Sequence, residues 1–147
     1  MSVLPLMLKT RRGMFVYVQP ADHCMNLRST LKFSIVIEID PNETFGSGAF
    51  ALAYDETILQ LDSFSIGKGF LGIVNVSDSG LLRFNAVSTS GVNGFLELGR
   101  GQFTGIAMGH SKLSLQIVDN PTDSLGGVLL DATIVNGSIK VGQFNHS

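Results

Sequence analysis

The chain has 147 residues, 44% of them hydrophobic and 15% charged, with a formal net charge of −2; this is enough apolar chain to fill the core of one domain, and it excludes a disordered protein. Lys and Arg are scattered apart from Arg11-Arg12, so no basic field exists to hold nucleic acid. Cys24 is the only cysteine, which excludes an intramolecular disulfide and a cysteine-rich zinc site, and no apolar run approaches the roughly 18 residues of a membrane-spanning helix, so no membrane insertion is expected.

"MSVLPLMLKTRR" at the start places apolar residues before basic ones, the reverse of a secretory signal. Residues 1–13 therefore read as an N-terminal extension, native or added, and the chain as one module of a longer protein. Strand signals then recur: "MFVYVQP" (14–20), "LKFSIVIEID" (31–40), "AFALAYD" (49–55), "ILQLDSF" (58–64) and "GFLGIVNVS" (69–77). "LLRFNAVST" (81–89), "GQFTGIAMG" (101–109), "KLSLQIVD" (112–119) and "GSIKV" (137–141) complete about nine strands, before a tail over 143–147. In "LKFSIVIEID" Leu31, Phe33, Ile35, Ile37 and Ile39 share one parity, the pattern of a strand with one face on a core. "DETILQL" (55–61) has β-branched residues and is short, so it reads as a loop and a short strand rather than a helix. Among 17 glycines, those of "SDSG" (77–80), "TSGVNG" (89–94), "LGRG" (98–101) and "SLGG" (124–127) mark turns. The expected fold is an all-β, nine-stranded sandwich of two sheets spanning residues 14–142, since a lone sheet of this composition would leave an apolar face wet.

The residues give little support to catalysis. Ser47 in "FGSGAF" lacks the G-x-S-x-G spacing and precedes a strand instead of linking strand to helix, so it is not a nucleophile elbow. His23, His110 and His146 form no H-x-x-x-H pair, and the carboxylates Asp55, Glu56, Asp62, Glu97, Asp119 and Asp123 single out no glycosidase-like couple. "DNPTDS" (119–124) lacks the EF-hand pattern and reads as a turn on Asn120-Pro121. Carbohydrate binding by stacking is weakened by the absence of Trp and by Tyr17 and Tyr54, both expected in the core. Of four N-x-[ST] sequons, at Asn42, Asn75, Asn136 and Asn145, the "NGS" at 136–138 reads equally well as a turn into the last strand.

One stretch is unusual. In "GSGAFALAYDETILQLDSF" (46–64) Phe50, Leu52 and Tyr54 alternate with Ala49, Ala51 and Ala53, so one face of the strand carries only methyl groups. This stretch resembles the third-strand region of a cohesin module, where a glycine-containing turn leads into an alternating strand that ends in Tyr-Asp. "SDSGLLRFNAVSTSGVNG", "GQFTGIAM", "KLSLQIVD" and "VNGSIKV" resemble later cohesin strands in the same order, so the resemblance covers roughly residues 30–141.

The resemblance implies jelly-roll topology and a non-catalytic role: binding a dockerin, a small helical module on another protein, in assemblies that are extracellular or at the cell surface. It implies no cofactor on this chain, calcium belonging to the dockerin. Alternation places Ser47, Ala49 and Ala51 on the outer face of one sheet with Arg83, Asn85 and Val87 of a neighbouring strand. The family's contact positions match Ser47, Ala49, Arg83, Asn85 and Ser88, with Val76, Ser79 and the loop at Leu125 as further contacts and Ala51 on the same strip. For Ser88 to point outward the strand must end or bulge before it. The acidic and amide residues common in the family's first group are absent here, replaced by Ser47, Ala49 and Ser88. A homodimer through the same sheet is the competing use of this face, and a carbohydrate-binding or cell-surface adhesion sandwich the alternative function.

Overall fold

In a computed structural model, the description covers residues 14–39, 44–76, 79–92, 94–122 and 133–143. The expected extension over 1–13, the "SLGG" turn, Leu125 and nearly all of the tail lie outside these residues. Among the described residues eleven segments form: β1 (Met14–Gln19), β2 (Asp22–Asn26), β3 (Thr30–Ile39), β4 (Phe45–Ala53), β5 (Leu59–Ile66), β6 (Val74–Asn75), β7 (Leu81–Val92), β8 (Gly94–Gly105), β9 (Gly109–Thr122), β10 (Thr133–Val135) and β11 (Gly137–Gly142). They make a sandwich of two sheets, ordered β10-β1-β3-β8-β5 and β2-β11-β9-β4-β7-β6.

Eleven segments and the expected nine strands describe the same chain path, because the first and last strands each step from one sheet to the other. Pro20 has no amide N–H and ends the ladder of β1, after which β2 joins the opposite sheet. The same step separates β10 from β11 at Asn136, whose Oδ1 accepts a hydrogen bond from the Leu115 amide at 2.9 Å. No turn forms at "NGS": Asn136 is a single residue between the two strands, and Gly137 and Ser138 already belong to β11. A Cβ on Gly137 would sit 2.1 Å from the Ala21 carbonyl oxygen, so only glycine fits where the two crossing strands meet. β1 with β10 and β2 with β11 are parallel, and every other ladder is antiparallel.

The core lies between the sheets. Val16, Val18, Phe33, Ile35 and Ile37 come from β1 and β3, and Phe50, Leu52, Leu82, Phe84 and Leu113 from the facing sheet, all at most 3% exposed. Phe33 stacks on Phe103 at 4.5 Å between centroids and lies 6.0 Å from Phe64, which reaches Phe84 of the opposite sheet at 5.0 Å. Phe84 in turn lies 5.5 Å from Phe50, so a chain of rings joins the two layers.

Four further expectations are corrected. "LGRG" is not a turn but the middle of β8, which starts at Gly94. A Cβ on Gly99 would lie 2.3 Å from the Phe64 ring, and one on Gly101 2.5 Å from the Ser63 carbonyl oxygen and 2.8 Å from Phe33, so these glycines make room for core rings. The run 69–77 pairs as a strand only at 74–75, apart from a bridge between Leu71 and Val87. β9 runs through Asn120-Pro121 to Thr122 instead of turning there. Tyr17 sits between the buried Val16 and Val18, so it faces outward and is half-exposed, whereas Tyr54 packs on Phe103 at 5.2 Å.

A candidate protein-binding face on the six-stranded sheet

β4 is an interior strand, hydrogen-bonded to β7 on one side and β9 on the other. Its register sets Ala49 beside Asn85 and Ala51 beside Arg83, with Gln116 on the other flank of Ala51. Because Phe50 and Leu52 are fully buried, Ser47, Ala49, Ala51 and Ala53 face outward as the alternation requires. Likewise Leu82, Phe84 and Ala86 are buried, and Arg83, Asn85 and Val87 lie on the outer face, with Val87 40% exposed.

The flank beyond β7 is built by a segment without regular structure. Leu71 and Val87 exchange backbone hydrogen bonds of 2.9 and 2.7 Å, and the Asn85 amide donates to the Ile73 carbonyl at 3.1 Å. Asn85 also accepts the Ile73 amide on Oδ1 at 2.8 Å, which fixes its side chain and turns it toward this segment. The approach is possible only because residue 72 is glycine: a Cβ there would stand 1.9 Å from the Asn85 carbonyl oxygen. Held this way, Leu71 and Ile73 remain 67% and 72% exposed. On the other flank β9 shifts register between the partners of Ala49 and Phe50, and Val118 at that bulge is 56% exposed.

Together these elements form a shallow groove of about 210 Å³ with Ala49 at its floor, Ile73 and Val118 on its walls, and Asn75, Arg83 and Asn85 around it. Its chemistry is that of an interface core with a polar rim, not of a reaction centre. Ser47 Oγ is paired with Thr122 Oγ1 at 2.7 Å rather than with a histidine.

The expected contact residues thus separate into groups. Ala49, Arg83 and Asn85 converge on the groove, and Ser47 lies on the same strand toward its start. Ala51 is on the strip but only 2% exposed, flanked by Arg83 and Gln116, so it is floor rather than contact surface. Val76 and Ser79 line a different hollow of about 350 Å³ with Tyr54, Glu56, Gln60 and Ile106. Ser88 is 7% exposed within β7, and its Oγ has no hydrogen-bond partner among the described residues. The three extra residues of β7 that break its register with β4 fall between Val87 and Val92, the partners of Ser47 and Phe45, and Ser88 at the start of this interval is still buried, continuing the inward parity of Phe84 and Ala86. Leu71, Ile73 and Val118 entered the sequence reading only as parts of the strands expected over 69–77 and 112–119, not as contacts; Gly72 between two apolar residues was the available signal.

No family model matches the chain, and no curated protein matches it in sequence. Solved structures do. The seventh ScaB type I cohesin from Pseudobacteroides cellulosolvens superposes with a TM-score of 0.77 at 19% identity, covering 91% of this chain and 95% of that one. The non-cellulosomal cohesin from Archaeoglobus fulgidus gives 0.73 at 16% identity over 88% of this chain and 91% of that one. The sixth cohesin of scaffoldin B from Acetivibrio cellulolyticus, solved in complex with a Cel5 dockerin mutant, gives 0.75 at 16% identity over 88% and 99%. The fold of this chain is the cohesin jelly-roll sandwich.

Proposed function

We propose that this chain is a non-catalytic recognition module that binds a dockerin through the outer face of its six-stranded sheet, in an extracellular or cell-surface assembly. The observation that carries this reading is the alanine-floored groove, where exposed Ile73 and Val118 surround Ala49 with Arg83 and Asn85 alongside. Small residues on the floor let a helix backbone come close, the aliphatic walls supply desolvated contact area, and the amide and guanidinium groups set its register. The cohesin fold and the neighbour solved with a dockerin support it. Calcium is expected on the dockerin.

Titration calorimetry against a panel of dockerins, with and without calcium, tests the reading. Calcium-dependent binding to at least one dockerin is expected, and Ala49→Trp should weaken it at least about a hundredfold by filling the centre of the interface, with the thermal midpoint unchanged. Binding that survives Ala49→Trp would move the interface elsewhere. No binding across the panel, together with a concentration-dependent mass in sedimentation, would assign the face to self-association.

A further inference from the structure

The opposite face of the sandwich carries a different chemistry. On the outer side of the five-stranded sheet, register places Lys32 beside Gln102 and Gln102 beside Ser63, and the next row sets Ser34, Arg100 and Ser65 abreast. Short serines on both sides of Arg100 and on one side of Gln102 leave a depression of about 400 Å³ between β3 and β5. Its polar groups are held in place: Glu97 accepts a hydrogen bond from Ser34 Oγ at 2.5 Å and an ion pair from Arg100 at 3.0 Å. Further along the same face Phe15 and Phe95 are both Cα partners of Glu38, and they are 42% and 72% exposed. Burial first, and then the nearby Glu38 carboxylate, raise the Tyr17 phenol above its ordinary value, so a phenol and a carboxylate lie close together beside these rings.

From the Lys32 row to the Phe95 row is about 20 Å, three steps of two residues along a strand. The strip therefore pairs exposed aromatic faces at one end with fixed donors and acceptors at the other. A protein interface concentrates apolar residues at its centre and loses charge there; this strip has Glu97 and Arg100 at its centre. Two cations, Lys32 and Arg100, share this face with three carboxylates, Glu38, Glu97 and Asp62, the last held by Gln102 and Thr104, so it has no cationic excess to hold a polyanion and a net charge too small to select a polycation. A ligand that presents flat apolar C–H faces to rings, and hydroxyls that donate and accept at once, meets all of these groups.

We infer that the outer face of the five-stranded sheet is a binding site for a neutral polysaccharide chain, stacking on Phe95 and Phe15 and hydrogen-bonding to Glu97, Arg100 and Gln102. This site lies on the sheet opposite the proposed dockerin face and does not depend on it.

The test is affinity electrophoresis of the whole chain through gels containing xylan, mixed-linkage β-glucan or galactomannan, followed by calorimetry with oligosaccharides of the retarding polymer. Retardation in at least one gel is expected. Phe95→Ala and Arg100→Ala should each weaken binding about tenfold or more, while Ala49→Trp leaves it unchanged. Both substituted residues are exposed, so an unaltered thermal midpoint is expected and separates lost binding from lost fold. Migration unaffected by all three polymers would overturn the inference, as would retardation that survives both substitutions.

Discussion

β4 and β8 both carry small residues where a strand of a sandwich commonly carries large ones, and they do so for opposite reasons. On β4 the alanines face outward, beneath a groove that lies open to a partner. On β8 the glycines face inward, and the rings of Phe33 and Phe64 occupy the space that their side chains would have taken. A small residue in a strand thus announces a close approach without saying from which side. Only parity assigns the side, and parity holds only as far as the next bulge.

The largest effect is expected where the approach is already complete. Gly101→Ala puts a methyl group 2.5 Å from a carbonyl oxygen and 2.8 Å from the Phe33 ring, and backbone cannot move aside as a flexible side chain can. Denaturant unfolding should show a loss of about 1–3 kcal/mol, the usual cost of overpacking a core. A loss below about 0.5 kcal/mol would mean that β8 has room on its inner side, and the contrast with β4 would fail.

Next comes Ser88, the residue for which parity and the cohesin resemblance point to different faces. It is buried with a hydroxyl that has no hydrogen-bond partner among the described residues, so Ser88→Ala removes a desolvated polar group and should stabilise the chain by about 1 kcal/mol. It should leave dockerin affinity unchanged, because the side chain faces inward. Weakened binding without a change in stability would return Ser88 to the interface.

These cases also show what was legible before the structure. β3, β4, β7 and β9 announce themselves by alternation because each has one face on the core, and the same alternation places Ala49, Arg83 and Asn85 on one surface. The first half of β8 is masked by its own glycines, and an extra residue at Leu98, opposite the Ile35–Val36 step, shifts its parity. β2 and β10 are short sheet-edge strands with mostly exposed residues, so no core face imposes a pattern on them. Ile73 could not be assigned from alternation, since it sits in a segment that docks on β7 outside any named strand; Val118 keeps the outward parity of Lys112, Ser114 and Gln116, but which part of β4 it stands beside depends on the bulge. Their positions depend on tertiary contacts: the clearance at Gly72 and the register of β9 against β4.

On the outer side of β4 the expected change in stability is small. Ala49→Val adds two methyl groups at a half-buried position on a face that opens to solvent, with β propensity in its favour, so the stability should stay within about 0.5 kcal/mol of the parent. The same substitution raises the floor of the groove and should weaken dockerin binding. A fold loss comparable to that of Gly101→Ala would show that the alanine stripe is packed from within the chain rather than kept clear for a partner.

The smallest effect belongs to the outer side of β8, where polar groups occupy the surface. Burial raises the Asp62 carboxyl, but hydrogen bonds from Thr104, Gln60 and Gln102 together outweigh it and hold the group below its ordinary value. A carboxylate with a lowered folded-state pKa contributes stability above its unfolded value of about 3.9. That contribution is lost as pH falls through this value towards the folded one. Asp62 is exposed and screened by solvent, so the loss should be a shallow slope below about pH 4 rather than acid unfolding. In Asp62→Asn the slope attributable to this group should vanish, which thermal midpoints measured from pH 2 to pH 6 would show. If the slope persists unchanged, the network on this side of β8 is no more organised around Asp62 than the solvent is, and its fixed geometry would rest on Glu97 and Arg100 alone.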